Sequence, residues 1–152
     1  GEEEKSVIEL EVFLEFVKLE DIGFIAGSER KGNADIGEPD IFCQLDEGIV
    51  YFELAEACAP ELASAITKAV NTGKVEPAWV GDVSEKTLWK KINKKYEVTE
   101  PVELLLYTAG RSVLPDESIE AKLLPILSSC CGQFRKVWLL GEKKVRLLVS
   151  NS

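Results

Sequence analysis

The chain has 152 residues, 45% of them hydrophobic, with a formal net charge of −9 and no histidine. That length and apolar content suit one globular domain, residues 1–152, with a real core. The charge argues against a surface that coats nucleic acid broadly, although a local basic patch stays open because distribution matters more than the sum.

The missing histidine removes the usual general base and every Ser-His or Cys-His nucleophile pair. Cys43, Cys58, Cys130 and Cys131 show no Cys-x-x-Cys spacing, which argues against a zinc site. Most of these cysteines sit among apolar or small residues and read as buried reduced thiols. The vicinal Cys130-Cys131 pair is the one candidate for oxidation. No apolar run approaches the roughly 20 residues that span a bilayer, and no signal-peptide pattern is present. A cytoplasmic protein with no membrane partner is expected. The chain opens on Gly1 and contains no methionine, so a native start upstream is expected.

In chain order, residues 3–20 carry the wide apolar arc of a helix packed on more than one side, ended by Asp21-Ile22-Gly23. Phe24 to Ala26 reads as a short strand, and the polar Gly27–Gly37 stretch as a mobile loop. A strand from Asp40 to Leu45 follows Pro39, a permitted place for proline. It turns through Asp46-Glu47-Gly48, matching a three-residue hairpin with a bulge, and returns as Ile49 to Ala55.

Ala59-Pro60-Glu61 opens a second helix that stops at Asn71-Thr72-Gly73. A loop through Pro77 and Trp79 leads to Asp82-Val83-Ser84-Glu85, which resembles a capping box for a lysine-rich helix reaching about Tyr96. Val102 to Tyr107 is nearly continuously apolar, as in a central strand covered on both faces. A last helix over 116–130 contains Pro125, which should kink it. Strands at 134–140 and 144–149 complete a mixed central α/β sheet flanked by helices.

The chemistry-bearing stretch is Glu38-Pro39-Asp40-Ile41 followed by Tyr51-Phe52-Glu53-Leu54-Ala55-Glu56. A carboxylate inside an apolar strand is costly to bury without a cation, a metal or hydrogen bonds. Asp40 lies across the hairpin from Glu53, so both carboxylates are candidates for one cation. Magnesium favours such a set, completed by waters and substrate phosphate oxygens. The blander readings are that Pro-Asp is turn chemistry and that Glu53 faces solvent or pairs with a lysine.

An N-terminal helix carrying glutamate, a Pro-Asp strand start and an adjoining strand with Glu53 together resemble the PD-(D/E)XK restriction-endonuclease-like superfamily. Most of the chain follows the resemblance as an order of elements, but only a few residues do so as a motif. The resemblance implies a restriction-endonuclease-like fold and Mg²⁺- or Mn²⁺-dependent cleavage of DNA. It also implies that Asp40 and Glu53 hold the metal and that a first-helix glutamate, Glu11 or next Glu15, assists. The family's lysine would stand at position 55, where this chain has alanine. Lys68 on the following helix is one alternative source, although helical geometry turns it mostly outward. Glu56 is either an extra ligand or a strand-end acid. Domains of this kind often act as dimers, so a homodimer is an expectation.

Lys86, Lys90 and Lys94 fall at i, i+4 and i+8, and Lys91 and Lys95 widen the stripe. It reads either as a nucleic-acid-facing surface or as the solvated side of a helix whose core side is Leu88, Trp89, Ile92 and Tyr96. Arg135, Lys136, Lys143, Lys144 and Arg146 form a second basic patch. Trp79, Trp89 and Trp138 read as core or interface residues. Three functions stay open: a nuclease, an inactive nuclease-fold binding or regulatory module favoured by Ala55, and an acidic interaction domain favoured by the net charge.

Overall fold

The computed structural model describes residues 1–57, 77–108, 115–142 and 144–151, the side chains of 77–84 excepted. Among them three α-helices flank one six-stranded mixed sheet. The helices are α1 (Glu2–Leu19), α2 (Pro77–Ile92) and α3 (Asp116–Ser129). The strands are β1 (Arg30–Lys31), β2 (Ile41–Leu45), β3 (Gly48–Glu56), β4 (Val102–Tyr107), β5 (Phe134–Leu140) and β6 (Val145–Ser150), hydrogen-bonded side by side in chain order. β3, β4 and β5 run parallel, and the outer pairings are antiparallel. This is the mixed α/β class read from the sequence.

The layers follow from which side chains each strand turns to each face. On one face α1 lays Phe13 and Phe16 over Phe52, Leu105 and Trp138. On the other, Leu88 and Ile92 of α2 and Ile119, Leu123 and Leu127 of α3 cover Tyr51, Leu104, Leu106 and Val137. Every residue of β4 is buried, as a parallel central strand covered on both sides requires.

Several local expectations change. α1 packs along one side only, leaving Val7, Leu10 and Leu19 exposed. It stops at Leu19 because Glu20 is already extended, and Gly23 (φ 75) serves the later turn where Asp46 N–H donates to Gly23 O. The expected Phe24–Ala26 strand shrinks to one bridge between Phe24 and Leu45. The 27–37 stretch is a folded loop rather than a loose one. It contains β1 and a 3₁₀ turn (Ala34–Ile36) capped by Asn33, whose Oδ1 accepts Asp35 N–H at 2.9 Å.

The β2–β3 connection is a two-residue turn, Asp46-Glu47, with Leu45 opposite Gly48. Gly48 (φ 127) provides the backbone angle, so no bulge is needed. α2 starts at Pro77, ahead of the expected capping box, and ends before Lys94, Lys95 and Tyr96. α3 keeps Pro125 inside it. Trp138 is core, whereas Trp89 is exposed. Cys43 is buried, which pushes its thiol up to about 12, but Cys130 is exposed and Cys131 half-buried. The expected helix after Ala59, with Lys68, lies outside the described residues, as do Cys58 and Lys143. No helix among the described residues is long and apolar enough to cross a membrane.

Candidate active site

Pro39 delivers the chain into β2, and the register Ile41 opposite Phe52 brings Asp40 to Glu53. The two acids are locked reciprocally. Asp40 N–H donates to Glu53 Oε1 at 3.1 Å, and Leu54 N–H donates to Asp40 Oδ2 at 2.8 Å. Glu53 is completely buried, so its charge needs compensation. Two ammonium groups supply it: Lys91 Nζ lies 2.8 Å and Lys94 Nζ 3.3 Å from Glu53 Oε2.

Lys91 reaches inward because it sits on α2 beside Leu88 and Ile92, both of which point into the core. Lys94 follows the helix end. The backbone there is tied to the Pro-Asp loop by Glu97 N–H, which donates to Gly37 O at 2.9 Å. Gly37 (φ 81) allows that approach, since a Cβ would strike the Glu97 side chain. Glu38 fixes the loop from within. It accepts Asn33 N–H and Tyr51 O–H, each at 2.9 Å, and Arg30 Nη1 lies 3.5 Å away. The Asn33 amide and the Tyr51 hydroxyl hold the Glu38 carboxyl below its usual range.

A third acid arrives from the opposite layer. Glu9 precedes Phe13 by four residues and Phe16 by seven, so all three share the buried stripe of α1. Its Oε2 is buried and has no hydrogen-bond partner among the described residues. Burial, then the charge of Asp40, raises the Glu9 carboxyl to about 7. Burial and the Glu53 charge raise Asp40 to about 6. Burial would lift Glu53 as well, but Lys91 and Lys94 outweigh it and hold Glu53 down. Lys91 is raised in turn: burial opposes its charge, and Glu53, Asp40 and Glu9 overcome that. The Tyr96 hydroxyl is also buried beside Glu53, and burial, then the Glu53 charge, keep its proton on.

Of the residues expected from sequence, Asp40 and Glu53 come together and Lys91 and Lys94 join them. Glu11 does not, and Glu9 stands where it was expected. Two residues on from Glu9 is about 200° around the helix, so Glu11 is exposed, and Glu15 is exposed as well. Ala55 is buried on the Glu53 face without a charge, and α2 brings Lys91 to the carboxylates instead. Lys86, Lys90 and Lys95 remain exposed on the surface. In the second basic patch, Arg135 pairs with Glu103 and Glu47, and Arg146 pairs with Glu117 and Glu120. Those two charges are therefore already matched within the fold.

A cleft of about 550 Å³ opens between α1 and the Pro-Asp loop, with Lys5, Glu9, Lys31, Asn33 and Asp40 among its walls. Two carboxylates on one cleft, one with an unpaired buried oxygen, match the donor chemistry of a magnesium or manganese ion. Among the described residues no group of three or more Asp, Glu, Cys or His side chains stands at metal-holding spacing. Both Glu53 oxygens are engaged by the Asp40 amide and the two lysines. Glu9 and Asp40 are thus the acids best placed to hold an ion, with Glu53 behind them.

No protein-family model, curated protein or solved structure matches this chain.

Proposed function

We propose that the chain is a metal-dependent nuclease of restriction-endonuclease-like architecture that hydrolyses DNA phosphodiesters. The observation that carries this reading is Lys91 Nζ at 2.8 Å from Glu53 Oε2, beside Asp40 and the buried Glu9. It supplies from another element the ammonium that Ala55 lacks. Hydrolysis joins a water oxygen to phosphorus and breaks one P–O ester bond, leaving a phosphomonoester and a sugar hydroxyl. Glu9 and Asp40 would hold Mg²⁺ or Mn²⁺, which when bound stabilises phosphate charge and makes water more acidic. Glu53 orients Asp40 through its amide and anchors Lys91. The Lys91 ammonium faces the negative charge that grows on the phosphate oxygens, and the low-dielectric surroundings strengthen that contact.

The test is cleavage of plasmid and single-stranded DNA with Mg²⁺ or Mn²⁺, comparing the wild type with Glu53→Gln. Metal-dependent cutting that the variant loses supports the nuclease. A second reading is a catalytically inactive module of the same architecture that binds or regulates. Ala55 and the full engagement of the Glu53 oxygens favour it, and it predicts a folded protein that never cuts.

A further inference from the structure

We propose that Lys94 is the substrate-holding cation of this site, leaving Glu53 for a backbone phosphate when a nucleic-acid strand enters. The inference rests on the nuclease reading and divides two roles between two lysines.

One carboxylate charge balances one ammonium, yet Lys91 and Lys94 meet on the same oxygen, Glu53 Oε2. The two like charges repel each other across that oxygen. Lys91 has reasons to stay. Its side chain is only 14% exposed, its contact is the shorter one, and Asp40 and Glu9 add to the field that holds it. Lys94 is 49% exposed, makes the longer contact at 3.3 Å and lies beyond the end of α2. Its ammonium is already half in water, so it gives up less on leaving the buried carboxylate than Lys91 would.

Release of Lys94 leaves the rest of the site satisfied. The Lys94 ammonium also lies 5.3 Å from the centre of the Tyr96 ring, a weak contact for an exposed side chain to give up. The Tyr96 hydroxyl is buried close to Glu53, which with burial keeps its proton on. When Lys94 leaves, Glu53 keeps Lys91 and the Asp40 amide and is not left bare.

The ligand class follows from what lies behind Lys94. Lys90 and Lys86 are exposed one and two turns back along α2, so positive charge continues away from the site. A line of ammonium groups suits successive phosphates of a strand rather than a single nucleotide.

The experiment uses the whole chain as wild type, Lys94→Gln, Lys94→Arg and Lys91→Gln, each checked for folding by circular dichroism. Binding of a fluorescent oligonucleotide is read by anisotropy in Ca²⁺ over a salt series, and cleavage kinetics are read in Mg²⁺. Lys94→Gln should raise KM about five-fold or more, with a much smaller change in kcat. It should also flatten the log–log salt dependence of binding by roughly one unit, the loss of one phosphate contact. Lys94→Arg should restore both, and Lys91→Gln should act on kcat. If Lys94→Gln lowers kcat alone, or changes neither binding nor kinetics, Lys94 is only a second counter-ion and the nuclease reading survives. A folded wild type that neither binds nor cuts overturns both.

Discussion

Two glutamates on neighbouring central strands, Glu53 of β3 and Glu103 of β4, are equally buried but on opposite faces of the sheet, and their surroundings differ in kind. A register shift after Val102 places Phe134 opposite Val102 and Lys136 opposite Glu103, so the intervening Arg135 is the extra residue. Its guanidinium grips Glu103 through Nε at 3.0 Å and through Nη2. Trp138 Nε1 donates to the other oxygen at 2.7 Å, and Arg135 continues to Glu47. Planar, directional donors make this a rigid strut between strands. Glu53 is held instead by two lysine ammonium groups, with Asp40 and Glu9 between it and the cleft that they line. The first arrangement completes its own electrostatics. The second leaves two acids, Glu9 and Asp40, raised by burial and by neighbouring carboxylates on the wall of a cleft.

The largest expected effect breaks the strut. Glu103→Gln should cost about 3 kcal/mol in denaturant unfolding, the lower end for breaking a buried pair because Arg135 retains Glu47. Cleavage per folded molecule should be unchanged, and a stable variant that has lost cleavage would erase the distinction between the two regions.

The next effect has the opposite sign. Glu9 moves from 4.5 to about 7 and Asp40 from 3.8 to about 6, both upward on folding. For such acids the native state binds protons more tightly than the unfolded one. Their contribution to stability is present below about 4 and is lost as pH rises through 6 to 7. Glu9→Gln should therefore match wild type near pH 4 and exceed it at pH 8 by roughly 1–3 kcal/mol, measured by thermal unfolding without divalent ions. Millimolar Mg²⁺ should narrow that gap, because the cation relieves the same repulsion in the wild type. A gap that stays constant with pH would show that Glu9 is not charged against its neighbours.

The smallest effect sharpens the comparison. Tyr51→Phe removes the hydroxyl that donates to Glu38 and should cost about 1 kcal/mol. Because Glu38 steadies the loop before Asp40, this variant should also lower kcat, whereas Glu103→Gln should lower stability alone.

Asp40 and Glu53 were legible in the sequence because a Pro-Asp strand start and a two-residue alternation are local signals. β4 was legible because six consecutive buried residues leave no other pattern. Glu9 was hidden among the many glutamates of α1, where only the phase set by Phe13 and Phe16 separates the one that is buried. Lys91 belongs to a lysine stripe that reads from sequence as either a nucleic-acid-facing or a solvated surface. Its partner lies 38 residues away, and only the packing of α2 on the sheet turns it inward. The loop before Asp40 looked loose because its order comes from Glu38 accepting donors on Asn33 and Tyr51, a contact between segments that composition does not record.

The most direct test is the rate at which Lys91→Ala, shown to be folded, nicks supercoiled plasmid in Mg²⁺ beside the wild type. The account predicts a wild type that cuts and a variant slower by about 10²-fold or more, the usual cost of removing one group that stabilises transition-state charge. Equal rates, or a folded wild type that leaves the plasmid intact, would contradict it.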